Sequence, residues 1–185
     1  MEDGLKRRRA FTASRSILKF GVDIVTAARG RPIVDVACGG GRNSAWLSHL
    51  GGKVIALDVD LHAIARSRSE DMGLDFAAAL TRVSLLEIDL VKDAWPFTPN
   101  SLGGIVNIHF LHLPLLAAFA ESLGMEGRLM LETVEDRGEN HRELPPHGEV
   151  RRRLGSSLKF IHYLERPVKR ENVDAVTVRL FALRK

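Results

Sequence analysis

Carboxylates, glycines and imidazoles stand at the ends of apolar runs in this sequence, where they could hold and act on a ligand. The run Ile33–Ala37 carries Asp35 and opens into Gly39, Gly40 and Gly41, followed by Arg42 and Asn43. Glycines there let backbone approach a ligand closely, because no side chain intervenes. Asn43 or Ser44 is expected to cap the helix that follows, whose apolar positions are Ala45, Trp46, Leu47 and Leu50. A strand, a glycine loop and a helix start form a common holder for a nucleotide-like ligand. Asp58 ends a second apolar run nineteen residues beyond Gly39, a suitable place for an acid that accepts from ribose hydroxyls. Asp89 ends a third run, and His109 and His112 follow a fourth.

The elements that must position these groups alternate. A helix is expected from about Phe11 to Ala28, with Ile17, Leu18, Val22, Ile24 and Val25 as its apolar stripe and Gly30 and Pro32 ending it. Strands are expected at Ile33–Ala37, Lys53–Leu57, Val83–Ile88, Gly104–Ile108 and Arg128–Thr133. Between them fall a helix to about Leu50, one capped by Asp60 and bearing Ala63, Ile64 and Ala65, a piece at Phe76–Leu80, and one from about Pro114 to Leu123. Glu135–Gly148 reads as a loop and Glu149–Leu154 as a short helix. Leu158–Leu164 and Ala175–Leu183 are strands joined by a charged turn too short for a helix, so they should pair antiparallel. The pattern defines an α/β fold, a doubly wound and mostly parallel sheet whose last strand is antiparallel. Its ligand site is expected beyond the carboxyl ends of the strands.

The chain has 185 residues, enough for one domain with a proper core, and it divides into a basic N-terminal arm over 1–10 and a single domain over 11–185. No apolar run is long enough for a transmembrane helix, and Met1–Arg9 lacks the apolar core of a secretion signal. Cys38 is the only cysteine, which excludes a disulfide framework and suits a cytoplasmic protein. Net charge is +5 over residues 1–31, −8 over 32–150 and +7 over 151–185. Basic ends could attract an anionic partner, but solvated surface charge and a loose N-terminal arm are the expected reading.

Two cofactor classes use such a layout. A dinucleotide needs room for a pyrophosphate and usually a second domain for its substrate. Asp35 points a carboxylate toward the loop, where it would repel a diphosphate. A sulfonium nucleoside carries no phosphate, so S-adenosylmethionine (SAM) suits the loop better than NAD.

The stretch Val34–Gly41 resembles the glycine motif of class I SAM-dependent methyltransferases, and the similarity continues through Asp58, Asp89 and the closing hairpin. Cys38–Asn43, Phe110–Pro114 and Leu131–Thr133 are similar to the tellurite-resistance methyltransferase group. The resemblance implies the Rossmann-like methyltransferase fold with a seven-stranded sheet. It also implies a SAM site built from Asp35, Ala37, Gly39, Gly40, Gly41, Arg42, Asp58, Val59, Asp89, Leu90, Ile108 and His109. Gly39 and Gly41 would pass under the methionine part, and Asp35 would support the loop or the amino group. Arg42 would reach the methionine carboxylate or make a surface salt bridge. Asp58 would bind the ribose hydroxyls, Val59 would pack on adenine, and Asp89 with the Leu90 amide would meet the adenine edge. Ile108 and His109 would line the floor below the sulfonium. Cys38 reads as small packing, not as a nucleophile.

Methyl transfer from SAM requires chiefly alignment and exclusion of water. A weak nucleophile would add a general base, for which His109, His112 and Glu132 are the catalytic candidates. The two histidines have no third ligand at suitable spacing, so no metal is expected. Strand four ends Asn107-Ile108-His109-Phe110, without the proline-rich signature of base-amine methylation, and a lone cysteine excludes the two-cysteine route to cytosine C5. Only the N-terminal helix and the Glu135–Gly148 loop can cap the pocket. The expected partner is therefore a small molecule, from the subgroup resemblance a thiol or chalcogen oxyanion, on a monomer or homodimer. RNA or nucleotide methylation, and SAM binding without catalysis, are the alternatives.

Overall fold

The computed structural model describes residues 13–69, 74–136, 144–168 and 175–185. The basic arm, half of the 135–148 loop and most of the turn joining the last two strands lie outside the described residues. The elements run α1 (Arg15–Ala28), β1 (Ile33–Val36), α2 (Arg42–His49), β2 (Val54–Asp58), α3 (His62–Ser69), α4 (Leu74–Thr81), β3 (Ser84–Glu87), β4 (Leu102–Ile108), α5 (Leu115–Ser122), β5 (Leu123–Asp136), α6 (Glu149–Leu154), β6 (Leu158–Pro167) and β7 (Ala175–Arg184). The seven strands form one sheet in the order β3-β2-β1-β4-β5-β7-β6. The first five are parallel and β7 is antiparallel to both its neighbours.

β1 and β4 are buried along their whole length, because helices cover both faces of the sheet. On one face α1–α4 pack over Ile33, Ala56, Val106 and Met130. On the other, α5 and α6 pack over Val34, Ile105, Leu129 and Leu180. α1 buries Ile17, Gly21, Ile24 and Ala28, a single stripe at helical spacing. It lies flat on β4 because Gly103 has no side chain there: a Cβ would stand 2.5 Å from the Ala28 Cα. That seating carries the N-terminus of α1 to the carboxyl end of the sheet.

Several boundaries differ from the sequence expectation for identifiable reasons. Neither Asn43 nor Ser44 caps α2; Gly41, at φ 75°, turns the chain directly into the helix with no side-chain cap. Both polar side chains are thereby free for other partners. β5 begins at Leu123 and continues to Asp136, because it pairs β4 at one end and β7 along most of its length. Glu135 is thus a strand residue rather than part of a loop. Arg29, in the left-handed conformation, ends α1 ahead of Gly30 and Pro32. Asp60 does cap as expected, its Oδ1 accepting from the His62 amide at 2.7 Å.

Candidate SAM-binding site

After β1 the chain turns sharply through three left-handed residues, Ala37 (φ 53°), Gly39 (φ 53°) and Gly41 (φ 75°). Ala37 is the one among them with a side chain, and holding it there costs energy that the surrounding structure must supply. That support is visible. The Cys38 amide donates to the Leu57 carbonyl at 2.9 Å, and the Gly39 amide donates to Asp58 Oδ2 at 2.8 Å. Gly41 lies beneath the loop, where an added Cβ would meet Ile64 Cδ1 at 2.5 Å. Asp58 turns its other oxygen to the Asp60 amide at 3.2 Å, so this one carboxylate organises the ends of both β1 and β2.

Asp35 sits behind the loop, 1% exposed, and accepts from Ser44 Oγ at 2.6 Å. It fastens β1 to the first turn of α2. Burial raises its pKa to about 6, against the Ser44 hydrogen bonds that pull it down. The Cys38 thiol is pushed far up, first by burial and then by the charges of Asp35 and Asp58, so it stays protonated.

Above the loop opens a cavity of about 330 Å³, lined by Ala37, Cys38, Gly39, Gly40, Arg42, Asn43, Ser67 and Ile108. Five expected cofactor residues meet there: Ala37, Gly39, Gly40, Arg42 and Ile108. Space is open over Gly39, where a Cβ would find no atom within 4 Å. Arg42 makes no ion pair among the described residues. Asp58 stands at the loop itself, and Val59, next to it, is 62% exposed.

The remaining expected residues lie outside that lining. Asp89 makes a turn: Oδ1 accepts from the Val91 amide at 3.1 Å, and Oδ2 pairs with Lys92 Nζ at 2.7 Å. Lys92 above all, with that amide, holds its carboxyl below the usual range. Leu90 is buried in the α5-side core. His109 is exposed at φ 66°, its amide donating to the Glu132 carbonyl at 2.8 Å. His112 is half-buried, and neither ring has a hydrogen-bond partner among the described residues.

Glu132 is 6% exposed and already engaged: Oε2 accepts from Ser16 Oγ at 2.8 Å, and Oε1 from Arg179 Nη2 at 3.1 Å. The Arg179 Nε lies 3.0 Å from Oε2 without the alignment of a hydrogen bond. At the start of α1 the Ser14 amide donates to Asn43 Oδ1 at 2.9 Å. The start of α1 thus reaches α2 beside the loop, a contact no spacing announces, although no α1 residue lines the cavity. Ser67, from α3, is a lining residue with no sequence signal. At the far end of β5 the structure also gathers Glu135, His147 and Glu165, with ligating atoms within 4.8 Å of one another. Their atoms serve the protein: Glu135 accepts from the Gly148 and Val150 amides, and Glu165 from His147 or its tautomer and from Tyr163.

The switch point between β1 and β4, the glycine loop and the acid ending β2 define a nucleoside-binding α/β protein. Residues 33–124 match the methyltransferase domain family. With that match on this sheet and loop, the chain carries a methyltransferase domain and is a SAM-dependent methyltransferase. The fold is similar to geranyl diphosphate C-methyltransferase from Streptomyces coelicolor, 13% identical over 90% of this chain and 79% of the other, TM-score 0.68. It is also similar to a TehB-like SAM-dependent methyltransferase from Corynebacterium glutamicum, 21% identical over 100% of this chain and 97% of the other, TM-score 0.62. The 4+2 cyclase SpnF shares it as well, at 11% identity over 91% and 79% and TM-score 0.67. No curated protein matches the chain. Among the described residues no helix is long and apolar enough to cross a membrane.

Proposed function

We propose that the protein transfers the methyl group of SAM to a small-molecule acceptor. The observation that carries this reading is the glycine loop held by the Asp58 carboxylate beside the 330 Å³ cavity. SAM, when bound, supplies an activated methyl group on its sulfonium. The chain's part is to orient it and to keep water out. The loop backbone and Gly39 would lie under the methionine part, and Arg42, without an ion-pair partner among the described residues, would take its carboxylate. Asp58 retains lone pairs for the ribose hydroxyls beyond those used by the Gly39 and Asp60 amides. Val59 would pack on adenine, with Asp89 and Leu90 at its edge. Ile108 and His109 would form the floor below the methyl group.

The acceptor reading rests on enclosure and on resemblance. The start of α1, bonded to Asn43, would close one side of the site around a small molecule, and two structural neighbours are described as methyltransferases, one with geranyl diphosphate bound. A thiol or chalcogen oxyanion is the finer reading, from the similarity of Cys38–Asn43 and Phe110–Pro114 to the tellurite-resistance group. His109 and His112, whose rings have no hydrogen-bond partner among the described residues, are the candidate bases near β4, and Glu132 is the carboxylate beside Ile108 on β5.

Calorimetry with SAM and S-adenosylhomocysteine, with NAD as control, tests the cofactor. Micromolar binding of both and none of NAD is the expected result. Asp58→Ala should weaken both at least tenfold, because it removes the ribose acceptor and releases the Gly39 amide. Unchanged affinity in that variant would remove Asp58 from the site.

A further inference from the structure

On the α1 side of the sheet, two adjoining cavities of about 310 and 210 Å³ share Leu164, Arg166 and Arg179. Among the described residues their combined lining contains the cations Arg15, Lys19, Arg166 and Arg179 and no carboxylate. The floor is apolar. Phe20 stacks on Phe181 with ring centroids 4.3 Å apart, and Leu164 lies beside them. His162, in the same lining, is held below its ordinary pKa by burial, with Lys19 and Arg179 adding to it, as a positive field requires. Of these cations only Arg179 is neutralised by an acid among the described residues, through Glu132.

The groove is joined to the SAM loop by the sheet itself. Strand register sets Ile108 beside Glu132, Glu132 beside Arg179, and Arg179 beside Leu164. Ile108 lines the loop cavity and Arg179 lines the groove. Neighbouring strands lie about 4.8 Å apart, so the two sites are separated by about 10 Å along one cross-sheet row. The start of α1 spans the same gap, with Ser14 bonded to Asn43 at the loop and Ser16 bonded to Glu132.

We propose that this groove seats the charged end of the methyl acceptor, which is an organic anion, a carboxylate or phosphate on an apolar body. The inference rests on the methyltransferase reading and names its substrate class. Arg166, Arg15 and Lys19 meet the anionic head, Phe20 and Leu164 the apolar body, and the nucleophilic atom lies toward Ile108. Such an arrangement selects by charge at one end and by shape along the floor.

The test uses the full chain loaded with S-adenosylhomocysteine and follows amide chemical shifts during titration. The probes are phenyl phosphate, benzoate, neutral benzyl alcohol and a single-stranded RNA 12-mer. Binding of either anion, with shifts in Phe20 and Leu164, and a loss of tenfold or more in Lys19→Glu and Arg166→Glu supports the proposal. The two anions distinguish a phosphate from a carboxylate head. Lys159→Glu, an exposed cation on β6 outside the groove, should leave anion binding unchanged, which separates local recognition from net charge. The proposal is overturned if neither anion binds, if benzyl alcohol binds equally, if Lys159→Glu matches Arg166→Glu, or if RNA binds more tightly through the same residues. S-adenosylhomocysteine affinity is measured in every variant. No anion binding by the unaltered chain when it does bind S-adenosylhomocysteine contradicts the groove alone, whereas failure of the unaltered chain to bind S-adenosylhomocysteine contradicts the cofactor site.

Discussion

Asp35 combines a buried carboxylate with a single side-chain partner, Ser44, and its energetics follow from that environment. A carboxyl whose folded pKa is about 6, above its ordinary value of 3.8, binds its proton more tightly in the native state than in the unfolded chain. Stability from this group is therefore full below about pH 4 and declines as pH rises through 6, by roughly 3 kcal/mol for a shift of this size. Asp89 and Glu149, held below their ordinary values, slope the opposite way, so the quantity to measure is the difference between wild type and Asp35→Asn. In urea melts from pH 4 to 7 that difference should move against the wild type as pH rises, then level off. The importance of Asp35 was legible from its place in the strand before the glycines. Its partner was not, because Ser44 had an equally good local use as a helix cap, and only the left-handed entry at Gly41 released it.

At the scale of elements, the turn from β1 into α2 is the least replaceable piece. Gly41 combines a positive φ with a wall formed by Ile64 and Leu80, so a methyl group there meets both backbone strain and overlap. Gly41→Ala should destabilise the protein by about 2–4 kcal/mol and weaken S-adenosylhomocysteine binding in parallel. Chemical denaturation with a ligand titration of the refolded variant checks both. A stable variant with normal binding would show that the loop can relax without its glycine. The loop, the strands and their order of alternation were readable because buried parallel strands are short apolar runs bounded by glycines and acids. The extent of β5 was not, since its outer half is held by pairing with β7, fifty or so residues away, rather than by its own composition. For the same reason nothing near Glu132 or Arg179 in sequence foretells that they meet.

For the whole molecule, ligand and stability are coupled. The loop cavity borrows from β1, α2, α3 and β4, so a ligand filling it cross-links much of the α1-side layer. S-adenosylhomocysteine at a hundred times its dissociation constant should add about 2.7 kcal/mol to global stability, read as a rise in Tm, and NAD should add none. The fold class and the kind of cofactor emerged from patterning that any covered parallel sheet displays. The acceptor groove did not, because it is assembled from α1 and the last two strands, whose charges read in sequence only as basic ends.

β7 also protects the sheet as a whole. It is the last strand in chain order, yet β5 and β6 touch in the sheet only through it. Until it docks, β5 presents an open edge over Arg128–Asp136 and β6 has no partner at all. Docking of β7 covers that edge, which would otherwise be open to edge-to-edge pairing with another chain. The strand that brings Arg179 to Glu132 is also the one that completes the sheet, so a chain with an assembled groove is one whose β5 edge is covered.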